Sequence, residues 1–109
     1  MVEVREYVDG RGISPFGRWF DDLDAIAAVR VRTAIARMEA GNLSNVRSVG
    51  AGLLEYRINF GPGYRVYFGR DGDRLIILLG GGTKRRQRID IEDARRLWEE
   101  YRRRKRQEA

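Results

Sequence analysis

The sequence contains no cysteine and no histidine. The first absence excludes disulfides and thiolate chemistry. The second removes the commonest general base, the commonest metal ligand and most nucleophile triads. No apolar run approaches the ~20 residues that a membrane span needs. The amino-terminal MVEVREYVDG lacks the apolar core of a signal peptide. The default expectation is a soluble cytoplasmic protein, without a membrane partner, a metal or a cofactor.

What is present is positive charge. The chain has 109 residues, the size of one domain. Lys and Arg number 22 against 16 Asp and Glu, a formal charge of +6. Charged residues make up 35%, above the ordinary quarter. Such a balance points to nucleic acid, an acidic partner protein or an anionic membrane surface.

The pattern along the chain gives a coarse organisation. Val2 to Val8 alternates apolar and charged residues and reads as a strand. Ser14-Pro15 starts a helix, with Ser as N-cap and Pro at the first helical position. Phe16, Trp19, Phe20, Leu23, Ala27, Val31, Ala34, Ile35 and Met38 continue at helical spacing. Asp24 caps a second helix after a tight break, and Gly41-Asn42 ends it. The stripe reads as core against a sheet rather than as a ligand pocket. Leu43 to Gly52 reads as a loop.

A three-stranded meander follows. Leu54, Tyr56, Ile58 and Phe60 share one face, and Tyr64, Val66 and Phe68 share one face of the next strand. With Gly61-Pro62-Gly63 as a three-residue loop, Phe60 pairs with Tyr64, Ile58 with Val66 and Tyr56 with Phe68. The Asp71-Gly72 turn then sets Leu75, Ile77 and Leu79 beside Phe68, Val66 and Tyr64. The LIILL run is apolar on both sides, so its second face is partly covered too.

This register leaves Arg57, Asn59, Arg65 and Tyr67 on an exposed face. A solvated surface explains such alternation without any function. Two guanidinium groups and a tyrosine on neighbouring strands also suit a phosphodiester, by bidentate contact and base stacking. The segment GGGTKRRQ, Gly80 to Gln87, lacks the spacing of a P-loop. Its glycines let the chain leave the strand at close quarters, carrying Lys84, Arg85, Arg86 and Arg88 toward the same edge. Asp90 reads as the cap of a last helix, with Asp93 in its first turn and Ile91, Ala94, Leu97, Trp98 and Tyr101 as its apolar side. The ending YRRRKRQEA, about residues 102–109, reads as a basic tail.

From Gly41 to Ala94 the chain resembles the addiction-module killer proteins, a HigB-like branch of the RelE/ParE toxin superfamily. The resemblance rests on Gly41-Asn42, Arg47, Val49-Gly50, Glu55, Arg57-Ile58, the run GPGYRVYF from Gly61 to Phe68, Lys84 and Asp90-Ile91. The helix bearing Trp19 and Leu23 fits as well. Thr83 stands where an acid is common, Tyr56 where Leu is common, and Ser44-Asn45 where Gly-Asp is usual.

The resemblance implies a small α+β RelE-like fold, β-α-α-β-β-β with a C-terminal helix. The sheet is mostly antiparallel, the helices pack on one face, and residues 1–109 form a single domain. It implies the toxin of a type II toxin–antitoxin pair, an mRNA endoribonuclease acting on ribosome-associated message. A non-catalytic ParE-like gyrase inhibitor and a plain basic RNA-binding module are the alternatives. The implied partners are mRNA, the ribosome and a cognate helix-turn-helix antitoxin encoded next door, joined in a heterotetramer. The implied catalytic residues are Arg65, Arg57 and Lys84. RNA contacts fall on Arg85, Arg86, Arg88, Tyr67, Asn59 and Arg47. Asp90 and Glu55 are the acid–base candidates, with N-capping the simpler role for Asp90.

Overall fold

The computed structural model describes residues 1–108. Strand β1 (Glu3–Glu6) is followed by helices α1 (Pro15–Asp21) and α2 (Ala25–Glu39). Strands β2 (Val46–Ser48), β3 (Leu54–Ile58), β4 (Tyr64–Arg70) and β5 (Leu75–Thr83) come next. A short 3₁₀ turn, Lys84–Arg86, leads into helix α3 (Gln87–Glu108). The strands form one sheet in the order β1-β5-β4-β3-β2. Only the β1–β5 pair is parallel.

The helix starts are where the sequence places them. Ser14 accepts from the Gly17 amide at 2.9 Å, with Pro15 at the first helical position. Asp24 accepts from the Ala27 amide at 2.9 Å, so a fresh cap breaks the stripe into two helices. Phe16, Val31, Ala34 and Met38 then pack on Tyr56, Val66, Phe68, Ile76 and Leu78. A second cluster on the opposite face joins Tyr7, Leu53, Tyr67, Ile77 and Leu79 to Ala94 and Trp98 of α3. Helices therefore lie on both faces of the sheet rather than on one, and α3 is the cover that the apolar LIILL run calls for.

Several expectations change. β2 occupies part of the segment read as a loop and pairs with β3 through Arg47 opposite Glu55. Tyr56 faces Val66, Ile58 faces Tyr64 and Arg57 faces Arg65, two residues from the expected register. A two-residue slip keeps every side chain on its face, so the hydrophobic pattern does not distinguish the two pairings. The β3–β4 connection is accordingly longer, with Gly61 and Gly63 at positive φ.

Across β4 and β5, a bulge between Tyr67 and Phe68 changes the alternation. Ile76 and Leu78, not Ile77 and Leu79, join the Val66 and Phe68 side. Gly80, Gly81 and Gly82 do not form an exit loop. They extend β5 opposite Tyr67, Val66 and Arg65. A Cβ at Gly81 would overlap the Trp19 ring, and one at Gly82 would overlap the Asp90 carboxylate. The glycines thus let α1 and α3 press on the two faces of one strand. Among the described residues, no helix is long and apolar enough to cross a membrane.

Candidate functional site

The residues singled out by sequence converge at the end of the sheet where β3 and β4 meet the start of α3. Arg57 and Arg65 are direct cross-strand partners. Placing like charges opposite each other is unfavourable without an intervening anion. Glu55 supplies it. Its Oε1 accepts from Arg57 Nε at 3.2 Å. Its Oε2 accepts from Gln87 Nε2 at 2.8 Å and stands 3.7 Å from Arg65 Nε. Glu55 is fully buried. It is the internal counterion of the pair, held from above by the first residue of α3.

The expected exposed face is thus corrected. Arg65 retains only 5% of its accessible surface and Tyr67 none. The start of α3 and its apolar side lie over them, which the alternation of β4 cannot reveal. Arg65 Nη1 donates to the Gly63 carbonyl at 2.6 Å. The Lys84 amide donates to the same oxygen at 2.9 Å. One carbonyl of the Gly-Pro-Gly loop therefore ties the β4 arginine to the basic segment after β5. Tyr67 is enclosed, so its ring cannot stack a base.

Three buried polar atoms near this point lack a hydrogen-bond partner: Arg65 Nε, the Tyr67 hydroxyl and Asp90 Oδ2. Burial is the main cause that pushes the Tyr67 phenol well up. The negative charges of Glu55 and Asp90 add to it, and Arg65 opposes them. Burial also raises the Asp90 carboxyl, against the pull of Arg86, whose Nε lies 3.8 Å from Asp90 Oδ1. Asp90 is not the N-cap. The 3₁₀ turn moves the helix start back to Gln87, which leaves Asp90 inside the first turn over Gly82.

The remaining cations stay in water. Arg57 keeps 45% of its side-chain surface. Lys84, Arg85, Arg86 and Arg88 are exposed around the start of α3, and Arg47 is exposed on β2 beside Glu55. Asn59 is exposed in the β3–β4 connection and does not face Arg65. The sequence reading missed Gln87 and the Gly63 carbonyl. No residue pattern marks either, because each acts through the position of α3. Among the described residues, no group of three or more acidic side chains gathers to hold a metal.

The arrangement offers an exposed guanidinium, a buried one fixed behind it, an exposed ammonium and a half-buried carboxyl. Residues 18–102 match the family model described as phage derived protein Gp49-like (DUF891). An uncharacterized protein of Haemophilus influenzae is 38% identical over 86 residues, 78% of this chain and 87% of that protein. The matched span holds the Gly-Pro-Gly loop, the Glu55 network and α3 as far as Arg102. The chain belongs to the Gp49-like family, a family of toxin–antitoxin toxins related to the RelE-type toxins.

Proposed function

We propose that the chain is the toxin of a type II pair in the HigB-like branch, and that it is an mRNA endoribonuclease acting on ribosome-bound message. The observation that carries this reading is the meeting of Arg57, Arg65 and Lys84 around Glu55 and the Gly63 carbonyl. A protein without histidine can cleave RNA because the substrate brings its own nucleophile. The ribose 2′-oxygen attacks the adjacent phosphorus, and the 5′-oxygen leaves. A 2′,3′-cyclic phosphate and a 5′-hydroxyl result. The protein must hold the groups in line, balance the charge growing on phosphorus and move two protons.

Arg57 is the guanidinium open to the phosphate. Arg65 sits behind it, fixed by Gly63 and Glu55, and keeps the local field positive. Lys84, whose exposed side chain follows an amide bonded to the Gly63 carbonyl, is assigned the proton given to the leaving oxygen. Glu55 is enclosed and already engaged, so its role is to position the arginines. Asp90, whose carboxyl pKa is raised by burial and whose Oδ1 lies beside exposed Arg86, is the carboxyl assigned to take the 2′-hydroxyl proton. Such weak acid–base equipment fits an enzyme whose substrate is aligned by the ribosome. Residues 1–109 act as one domain, and the partner is an acidic antitoxin from the adjacent frame, with helix-turn-helix chemistry and a heterotetrameric complex.

The test is expression of the chain in a bacterium, alone and with the neighbouring gene. Growth should stop in the first case and recover in the second, with message cut at defined positions. Arrest with intact message and blocked gyrase would replace this reading with the gyrase one.

A further inference from the structure

The edge beyond β2 holds a second basic surface. β2 begins at Val46, opposite Tyr56, so the outer edge of β3, away from β4, has no strand beside it from Arg57 onward. On the inner side β4 pairs with Arg57 and Ile58, and the Arg57 amide donates to the Asn45 carbonyl at 3.2 Å. At the outer edge a groove of about 190 Å³ runs between β3 and α2. Arg30 and Arg37 of α2 line it, together with Asn45, Arg57 and Asn59. No carboxylate lines it. Neither Arg30 nor Arg37 has an acidic partner within ion-pair distance among the described residues. The Arg30 guanidinium lies 4.5 Å from the centre of the Phe60 ring, which itself stacks near Tyr64.

This geometry departs from an ordinary solvated helix face. Ala27, Val31, Ala34 and Met38 bury one side of α2, and Arg30 and Arg37 flank that side, two turns apart. Their backbones are separated by about 10.5 Å at 1.5 Å per residue. Two unpaired guanidiniums and two amide side chains lining one groove suit the phosphates and base edges of a single strand. Arg57 belongs both to this groove and to the Glu55 network. The groove therefore leads directly to the proposed scissile position.

We propose that the α2–β3 groove is an RNA subsite. It takes the strand flanking the cleaved phosphate, with backbone phosphates on Arg30 and Arg37 and sugar or base edges on Asn45 and Asn59. This rests on the endoribonuclease reading and adds the path of the substrate to it. The path runs along α2, away from the basic end of α3.

The experiment uses a fluorescein-labelled, fully 2′-O-methylated single-stranded RNA, which cannot be cut. Its binding to the wild-type chain and to an Arg30→Gln/Arg37→Gln variant is followed by anisotropy across salt concentrations. Single strands lose about 0.7 in log–log salt slope per phosphate contact, so the variant should lose about 1.4. In ribosome-programmed cleavage it should raise KM and keep kcat, whereas Arg57→Ala should lower kcat. Unchanged affinity and slope in the variant would remove the groove from the RNA path and leave the catalytic reading standing. Unchanged RNA binding with lost antitoxin binding would make it a protein-docking groove and overturn the proposal. If the wild-type chain binds no RNA, the endoribonuclease reading and the subsite both fall.

Discussion

Arg57 and Arg65 share one register position across β3 and β4, where only Glu55 separates their charges. This makes Glu55→Gln a stability test. Losing the buried negative charge should cost about 3 kcal/mol, the low end of what breaking a buried pair costs. Chemical denaturation with matched slopes would read it, and an unchanged midpoint would deny the counterion role. Arg65→Ala should also destabilise, by about 1–3 kcal/mol, because it leaves a buried carboxylate less well paired. Arg65 is therefore a poor probe of chemistry, and half-exposed Arg57 is the better one. Asp90 gives a pH signature. Its carboxyl pKa is raised in the folded state, so the fold keeps a proton that the unfolded chain has released. Stability should fall as pH rises from the ordinary carboxyl value through the folded one. Asp90→Asn should flatten that part of a Tm-against-pH curve, and an unaltered curve would contradict it. The sequence marks the charged residues but not their roles. Arg65 and Tyr67 read as outward-facing because strand alternation gives a parity, and parity is silent on what covers the face.

At the scale of elements, caps and glycines carry most of what is legible. Ser14, Pro15 and Asp24 locate both helix starts because their signals are local. The register of β3 against β4 is not local, since a slip by two preserves both faces. The bulge at Tyr67 and Phe68 and the short β2 are equally unmarked. Gly69 and Gly81 illustrate a different limit. Each looks like a flexible position, yet a Cβ at either would run into Trp98 or Trp19. Gly81→Ala should therefore cost about 1–3 kcal/mol through overpacking, measured by thermal unfolding. A neutral effect would mean that α1 can withdraw from β5. The basic ending is likewise more than a charged tail. It continues α3, where Arg104 donates to the Val8 carbonyl at 3.0 Å and Lys105 pairs with Asp71. Trp98 stacks on Tyr101 at 5.3 Å just before it.

On the scale of the whole molecule, a formal charge of +6 favours long-range attraction of RNA and of an acidic partner. Exposed Arg103 makes no ion pair among the described residues. Arg103→Glu should weaken RNA binding modestly and in a salt-dependent way, without stopping cleavage. The α+β class was open to reading from periodicity, and the resemblance carried by GPGYRVYF pointed to the toxin family. What escaped was how far the covering layer reaches, because the placement of α3 over Glu55 and Arg65 depends on Gln87 meeting Glu55 across 32 residues and on Asp90 seating over Gly82. That placement is central to the account: it turns a row of arginines into a site with one open cation and one fixed behind it. The most direct measurement is ribosome-programmed mRNA cleavage by Arg57→Ala, with thermal unfolding of the same variant. The variant should stay folded while its cleavage rate falls by about two orders of magnitude or more, as when one charge-stabilising donor is lost. Full cleavage by a folded Arg57→Ala protein would contradict it.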